Sequence, residues 1–335
     1  MSILMTGGGT GGHLAIIKAV KEQLTNETLI YIGSCTGQDT QWFANDDAFE
    51  EKYFFETRGV VNQGKLGKIK SLFMLAKATV KSVMLIRKHK AKVVFCVGGF
   101  SAAPMAFAAK LTFTPLVIHE QNAALGSLNK LLKPYAKYFI SSYLDESPIG
   151  AYPVKEIFFA NAHVRKEVKT LIFLGGSQGA KAINTLALEI APELKRRGIR
   201  ILHQAGATHV DEIQKSYEAL GIEAEVFGFT TKLSTYMNEA DFAIARAGAS
   251  TLWELSATAV PTLYIPYPYA ASDHQYHNAQ FLVEKNLAWL MREGKIDTKQ
   301  VLSLLEKDLS SISKGLMDSI EKNGSAKIAK LLQKI

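Results

Sequence analysis

The sequence predicts an α/β protein of two domains, each a parallel sheet with helices on both faces. The first observation lies at the start of the chain. There Ile3-Leu4-Met5 runs into Gly7-Gly8-Gly9-Thr10-Gly11-Gly12-His13, then into Ile16, Ile17, Val20 and Leu24 at helical spacing. The second is a repeat of that order: Thr170-Leu171-Ile172-Phe173-Leu174 runs into Gly175-Gly176-Ser177-Gln178-Gly179-Ala180, then into Ile183, Leu186 and Ile190. The third is the alternation of short apolar runs with helical patterns after each start, which implies parallel strands joined by crossover helices. At 335 residues the chain suits two domains of about 150 residues better than one core.

The opening element is a strand, a glycine turn and a helix. Glycines there adopt angles other residues resist, and they let a ligand approach bare N–H groups at the positive end of the helix. A phosphate or a sugar hydroxyl is the expected guest. Gly7, Gly9 and Gly12 also satisfy the G-x-G-x-x-G fingerprint, so an NAD-dependent oxidoreductase is one reading. That fingerprint needs a carboxylate at the end of the second strand to hold a ribose. Here Leu29–Ile32 runs into Gly33-Ser34-Cys35-Thr36, and the next acidic residue is Asp39.

Further strands are expected at Tyr53–Phe55, Val93–Val97, Leu116–Ile118 and Tyr138–Ile140. Val97-Gly98-Gly99-Phe100-Ser101 and Ile118-His119-Glu120-Gln121-Asn122 read as strands ending in loops, where ligands of open α/β sheets collect. Pro148, Gly150 and Pro153 break regular structure near 151–165. After the second start, strands are expected at Arg200–Leu202, Glu225–Phe227, Phe242–Ile244 and Pro261–Ile265, and from Asp297 the pattern is helical only. This places an N-terminal domain at residues 1–160 and a C-terminal domain at 165–317. A last helix, about 318–335, could pack back on the first.

Composition bounds the class. With 47% hydrophobic and 21% charged residues, the chain reads as a globular protein, and its net charge of +8 favours anionic partners such as nucleotide phosphates, nucleic acid or an acidic membrane surface without choosing among them. Cys35 and Cys96 are its two cysteines and lack metal or redox spacing, so a reducing compartment without disulfides is expected. No charged n-region precedes the first apolar residues, and no uncharged apolar run reaches the ~20 residues of a membrane span. A cytoplasmic protein able to touch a membrane is expected.

Two more motifs occupy the second half. Arg246-Ala247-Gly248-Ala249-Ser250-Thr251-Leu252-Trp253-Glu254 follows a strand and opens a helix, and Asp273-His274-Gln275-Tyr276-His277-Asn278 follows the proline-rich 261–268 segment. With Gly-Gly-Thr-Gly-Gly-His, Gly-Gly-Phe-Ser, His-Glu-Gln-Asn and Gly-Gly-Ser-Gln-Gly, they make six motifs in order across residues 1 to about 290. On these residues the chain resembles the MurG family, the UDP-N-acetylglucosamine transferases that convert lipid I to lipid II in peptidoglycan synthesis.

The resemblance implies a GT-B fold, two Rossmann-like domains facing across a cleft, with UDP-N-acetylglucosamine held mainly by the C-terminal one. Ser177 would bind the diphosphate, and the helix N-terminus of Ala249, Ser250, Thr251 and Leu252 would stabilise it as it leaves. Glu254 would accept from the ribose hydroxyls, Gln275 would hold sugar hydroxyls, and the uracil would lie near Phe229 and Thr230. Thr10, Gly11, Gly12, His13 and Asn122 would meet the acceptor or the transferred sugar. Arg165 matches a family arginine near the domain junction, although Asn161-Ala162-His163-Val164 stands before it in place of Gly-Asn-Pro-Val. Each residue also has a plain reading: Glu254 as a helix residue paired to a lysine, Gln275 as a cap, His13 as a helix residue with no proton to move. Likewise His119 and Glu120 would order the Asn122 loop, and Asp241 and Arg246 would be ordinary charges at strand ends.

The activity implied is inverting transfer to membrane-bound lipid I, with His13 or Glu120 as the catalytic base. A helix N-terminus biases His13 toward the neutral form that accepts a proton. The readings set against it are the NAD oxidoreductase, a nucleotide-sugar epimerase of the same fold, and a silent sugar-nucleotide-binding module. No metal is expected, since the sequence has no Asp-x-Asp pair and its glycine loops supply positive potential; the resemblance implies no cofactor and no nucleic acid. The expected seat is the cytoplasmic face of the bacterial inner membrane. In residues 64–90, Leu66, Ile69, Leu72, Phe73, Leu75, Ala76, Val80, Val83, Met84 and Ile86 are interleaved with Lys65, Lys68, Lys70, Lys77, Lys81, Arg87, Lys88 and Lys90. Such a helix either docks on acidic headgroups or buries its apolar face on the sheet.

Overall fold

The computed structural model describes residues 1–57, 64–176 and 178–335, apart from the side chains of Lys65 and Leu66. The first half runs β1 (Ser2–Thr6), α1 (Gly11–Lys21), β2 (Thr28–Ser34), α2 (Asp39–Phe43), β3 (Glu51–Phe55), α3 (Lys65–Lys88), β4 (Ala91–Cys96), α4 (Ala103–Thr112), β5 (Leu116–Glu120), α5 (Ser127–Leu132) and β6 (Tyr138–Ser141). The second half runs α6 (Ile157–Ala160), β7 (Thr170–Leu174), α7 (Lys181–Arg196), β8 (Arg200–Gln204), α8 (Val210–Ala219), β9 (Glu225–Phe227), α9 (Leu233–Glu239), β10 (Phe242–Ala245), α10 (Ala249–Ala257) and β11 (Thr262–Tyr264). It ends with α11 (His274–Val283), β12 (Trp289–Leu290), α12 (Thr298–Leu304), α13 (Ser310–Ser319) and α14 (Gly324–Gln333).

The chain divides into two compact units: Met1–Val154 together with Asn323–Ile335, and Lys155–Lys322. Each holds a six-stranded parallel sheet, in the orders β3-β2-β1-β4-β5-β6 and β12-β11-β10-β7-β8-β9. Counted from each unit's own first strand, both follow the order of the doubly wound dinucleotide fold. The order reverses between β1 and β4 in the first unit and between β7 and β10 in the second. At such a point the loops leaving the carboxyl ends diverge and leave a crevice.

The strands read as unbroken apolar runs because both faces of each sheet are covered. In the first sheet, Leu4, Ile30, Val94, Cys96 and Ile118 pack on Met105, Ala106 and Ala109 of α4. The alternate residues Ile3, Met5, Phe95 and Val117 are just as buried on the other face. The second core joins Leu171, Phe173, Ile201, Ile244 and Leu263 to Ile183, Leu186, Ile190 and Leu194 of α7. Cys35 is exposed, Cys96 is buried, and both are free. Among the described residues, no helix is long and apolar enough to cross a membrane.

Two elements depart from the sequence reading. β5 continues through His119 and Glu120, which are buried strand residues and not part of a loop. α3 turns a small, polar side inward, with Ser71, Ala78, Thr79 and Ser82 buried; Thr79 and Ser82 return their hydroxyls to the carbonyls of Leu75 and Ala78. Its Ile69, Leu72, Phe73, Val80 and Met84 point outward, each between 53% and 72% exposed. Of the two readings of this helix, burial of the whole apolar face does not hold: among the described residues only Ile86 near its end joins the small residues inside.

Candidate active site

In the first unit, β1 delivers Gly7 to Thr10 and α1 begins at Gly11. Thr10 is extended, and its hydroxyl lies 2.9 Å from His13 Nδ1 where a cap would have bonded the helix amides. The loop after β5 brings Gln121 Nε2 to 3.1 Å from His13 Nε2. An amide nitrogen only donates, so in this assigned orientation Nε2 accepts and Nδ1 donates to Thr10, the pattern of the neutral tautomer.

His119 is fully buried, with its ring edge-on to Tyr152 at 5.7 Å between centroids. Burial pushes its pKa down to about 3, and His13 adds to the effect. It is a neutral ring at physiological pH. Asn122 is half-buried beside Gln121, and its backbone N–H donates to Glu120 Oε1 at 3.0 Å.

In the second unit, two loops flank the point where strand order reverses. The loop after β7 comes so close to the end of β8 that a Cβ on Gly179, which has φ +78°, would stand 2.3 Å from the Ala205 carbonyl. Asn184 on α7 donates to that same carbonyl at 3.1 Å and accepts from His203, whose other nitrogen bonds Tyr217. After β10, Gly248 is the extended N-cap of α10, with no side-chain cap and no acid in the first turn. The first intrahelical bond is donated by Leu252 to Gly248 O at 2.9 Å, so the N–H groups of Ala249, Ser250 and Thr251 precede the ladder and suit an anion. The buried Asn278 donates to Ala247 O at 3.1 Å and braces this turn.

Glu254 lies one turn along α10, half-buried. Desolvation raises its pKa to about 8, opposed by the Lys155 ammonium. Gln275 opens α11 and accepts from the Tyr267 N–H at 3.0 Å, which leaves its amide N–H groups for a ligand. Thr230 follows the carboxyl end of β9, its hydroxyl accepting from Lys232 N at 3.0 Å, and Phe229 beside it is 76% exposed.

Each unit thus carries its own loop cluster on a sheet of one topology, and known proteins share both units. Residues 3–140 match the glycosyltransferase family 28 N-terminal domain, and residues 170–332 match its C-terminal domain. A protein of Sulfurovum sp. (strain NBC37-1) is 73% identical over 99% of this chain and 98% of its own length. The chain belongs to the MurG branch of glycosyltransferase family 28. The Sulfurovum relative is named UDP-N-acetylglucosamine--N-acetylmuramyl-(pentapeptide) pyrophosphoryl-undecaprenol N-acetylglucosamine transferase. A Wolinella succinogenes protein of that name is 48% identical over 98% of both chains. The solved MurG of Acinetobacter baumannii superposes with a TM-score of 0.81 at 27% identity, covering 100% of this chain and 99% of that one. A kitacinnamycin glycotransferase, 12% identical with a TM-score of 0.70 over 99% of this chain and 98% of its own, shares the fold alone. The fold is thus α/β with two Rossmann-like units, of the GT-B type.

Within this family 28 chain, Thr10, Gly11, Gly12, His13 and Asn122 gather at the carboxyl ends of β1 and β5, joined by the His13–Gln121 bond. Ala249, Ser250, Thr251, Glu254, Gln275 and Thr230 lie at the carboxyl ends of β9, β10 and β11. Ser177 lies outside the described residues. Three assignments are corrected. Glu120 is 2% exposed, and its carboxylate accepts from Asn122 N, Gly126 N and Asn129 Nδ2, so in this structure it orders the loop. Leu252 is a core side chain whose N–H is committed inside the helix.

The third is Arg165, which is 1% exposed and donates to the carbonyls of His163, Met237, Asn238, Ala240 and Thr258. All but His163 close the C-terminal ends of α9 and α10, before β10 and β11 begin. Arg165 is therefore at the amino end of the sheet, away from the loops that hold ligands. Burial lowers its pKa to about 10, which still leaves it charged. Asp241 caps the Lys169 and Thr170 amides, and Arg246 holds the Ile265 and Pro266 carbonyls and Glu293. Gln121 was expected in the loop where ligands collect, but without a role of its own. Its place in the His-Glu-Gln-Asn motif was the signal, but only folding shows that it reaches His13.

Proposed function

We propose that the chain transfers N-acetylglucosamine from UDP-N-acetylglucosamine to the MurNAc 4-hydroxyl of lipid I, giving lipid II. The observation that carries this is near-full-length identity of 73% to a relative named for that transfer. The geometry is compatible with an inverting step. His13 removes the hydroxyl proton, the oxygen attacks the anomeric carbon from the face opposite UDP, and the sugar–phosphate bond breaks with its electron pair leaving on UDP. The N–H groups of Ala249, Ser250 and Thr251 meet the charge that develops there. Glu254 accepts from the ribose, Gln275 donates to sugar hydroxyls, and the uracil lies near Thr230.

Incubation with UDP-[14C]N-acetylglucosamine and a short-chain lipid I analogue is expected to move label to the lipid and release one UDP per sugar. Free sugar, an epimer or a change in NAD redox state without lipid label would overturn the assignment.

The proposed seat is peripheral, on the cytoplasmic face of the bacterial inner membrane, with an acidic lipid surface as partner and no nucleic acid. The outward stripe of α3 supports this, since a contiguous apolar patch on a charged protein marks an interaction surface. Lys68, Lys70, Lys77 and Lys81 are exposed along the same helix, and each cation near an anionic surface contributes about 1 kcal/mol. Between α3 and β3 a cavity of about 250 Å³ is lined by Phe54, Phe55, Phe73, Met74, Lys77 and Lys81, dimensions suited to part of an acyl chain. Flotation with acidic liposomes is expected to weaken in high salt, and to weaken further when Lys68, Lys70 and Lys77 become Glu. Flotation that ignores both changes removes the electrostatic part of this proposal.

A further inference from the structure

We propose that Asp39 is a resident anion in the first unit's glycine loop, where it takes the place a ligand phosphate would occupy and positions the Thr10–His13 turn. Asp39 begins α2 and is fully buried. Its Oδ2 accepts from Gly9 N at 2.7 Å; its Oδ1 accepts from Ser34 N at 2.9 Å and lies 3.0 Å from the Tyr31 hydroxyl. Two backbone amides and a phenol converge on a group that, as a carboxylate, only accepts. The Tyr31 hydroxyl is also 2.8 Å from Gly7 O, and burial beside Asp39 pushes its pKa far up, so it remains a donor.

The surrounding backbone is shaped for this carboxylate. A Cβ on Gly8 would stand 2.4 Å from Asp39 Oδ1, one on Gly33 2.6 Å from the same atom, and one on Gly37 2.9 Å from Oδ2. Three glycines, Gly8 in the first loop, Gly33 near the end of β2 and Gly37 in the loop after it, thus leave the room that the side chain fills. Gly9 N is the loop amide that a phosphate oxygen would accept from in a glycine loop preceding a helix. Here an internal carboxylate has accepted it already. A second anion at that amide would meet like charge in a buried, weakly screened place.

The second unit has the same topology and a different loop. After β8 the chain reads Ala205-Gly206-Ala207-Thr208-His209, and the first acids, Asp211 and Glu212, are exposed on α8. Among the described residues, no buried carboxylate stands against the glycine loop of this unit. Asp39 therefore gives an account of how two glycine loops on one fold divide their work: the first is closed to phosphate and held rigid beneath Thr10 and His13, and the second stays open to it. Its carboxylate is a positioning group for the proposed transfer and a specificity determinant for anions.

The experiment uses the full chain and the variants Asp39→Ala and Asp39→Asn, with inorganic pyrophosphate as probe. Calorimetry is performed in saturating UDP, so that the second loop is filled and no turnover is needed. The parent is expected to show no pyrophosphate binding, while at least one folded variant gains it with a Kd at least tenfold below the parent's detection limit. In a second arm, lipid-acceptor kcat/KM for Asp39→Ala is expected to fall tenfold or more and to recover several-fold in formate, but not in formamide, which has the same shape without the charge. A circular-dichroism spectrum matching the parent's, with Trp42 of the first unit unshifted in emission, shows that each variant is folded. Should Asp39→Ala fail that check, Asp39→Asn, of equal volume, decides through calorimetry alone. Pyrophosphate binding equal in parent and folded variants overturns the resident-anion assignment. Equal rescue by formate and formamide overturns the role of charge in positioning. The calorimetric arm stands whether or not the transfer reaction is the one proposed.

Discussion

Replacing Arg165 separates a ligand contact from a structural one. Its guanidinium uses five N–H groups on five carbonyls, four of them at the C-terminal ends of α9 and α10. A lysine has three donors and no planar fork, so Arg165→Lys leaves at least two buried carbonyls without a partner. Each costs roughly 1–3 kcal/mol when it stays dry, which sets the loss at about 2–4 kcal/mol after partial relaxation. For a unit of this size that is a fall in Tm of roughly 5–15 °C. Arg165→Met strands all five, a loss of about 5 kcal/mol or more, comparable to the whole stability of an ordinary domain. Two of the three tryptophans, Trp253 and Trp289, lie in this unit, so fluorescence melting reports on it. Below its melting point, Arg165→Lys is expected to bind UDP within about twofold of the parent. A tenfold loss of UDP affinity with a Tm shift under about 2 °C would refute the structural reading and return Arg165 to the donor site.

His13→Ala is expected to lower kcat by about 10²–10⁴-fold while UDP affinity holds, measured by label transfer beside calorimetry; retained turnover assigns the base elsewhere. Glu254, with its pKa raised to about 8, is expected to make UDP binding tighten as pH rises from 6 to 8 and level off above, because ribose hydroxyls donate to the ionised form. The folded chain also holds a proton there that the unfolded chain has lost above its ordinary 4.5, so stability falls as pH rises through that window; Glu254→Gln should flatten both curves, and a parent curve already flat contradicts the assignment. His119 and His203, both held near 3 by burial, oppose protonation that the unfolded chain accepts below about 6.5, so urea midpoints are expected to drop from pH 6.5 toward 4. Neither nitrogen of His119 has a hydrogen-bond partner, so His119→Phe should shallow that slope without stranding another group; an unchanged slope places the acid sensitivity elsewhere.

What the sequence determined by itself was local and periodic. Ile3-Leu4-Met5 before a glycine run, and Thr170–Leu174 before a second, specify strand, turn and helix because short apolar runs, helical spacing and glycine act over a few residues. The six ordered motifs likewise reached the family without coordinates. Tertiary structure decided whatever depends on which chain segments meet. Arg165 is a clamp because α9 and α10 end against it, some 70 to 90 residues away in sequence. Glu120 is spent because Gly126 and Asn129 fold back on it. In the sequence Asp39 was only the first acid after the second strand; it is buried beneath Gly9 because β1 and β2 are neighbours, and neighbouring strands bring their exit loops together. α3 carried apolar and basic residues whose period fits either burial or exposure. Only the packing of Ser71, Ala78 and Ser82 inward shows which, since small side chains let the helix sit close and leave the large ones outside.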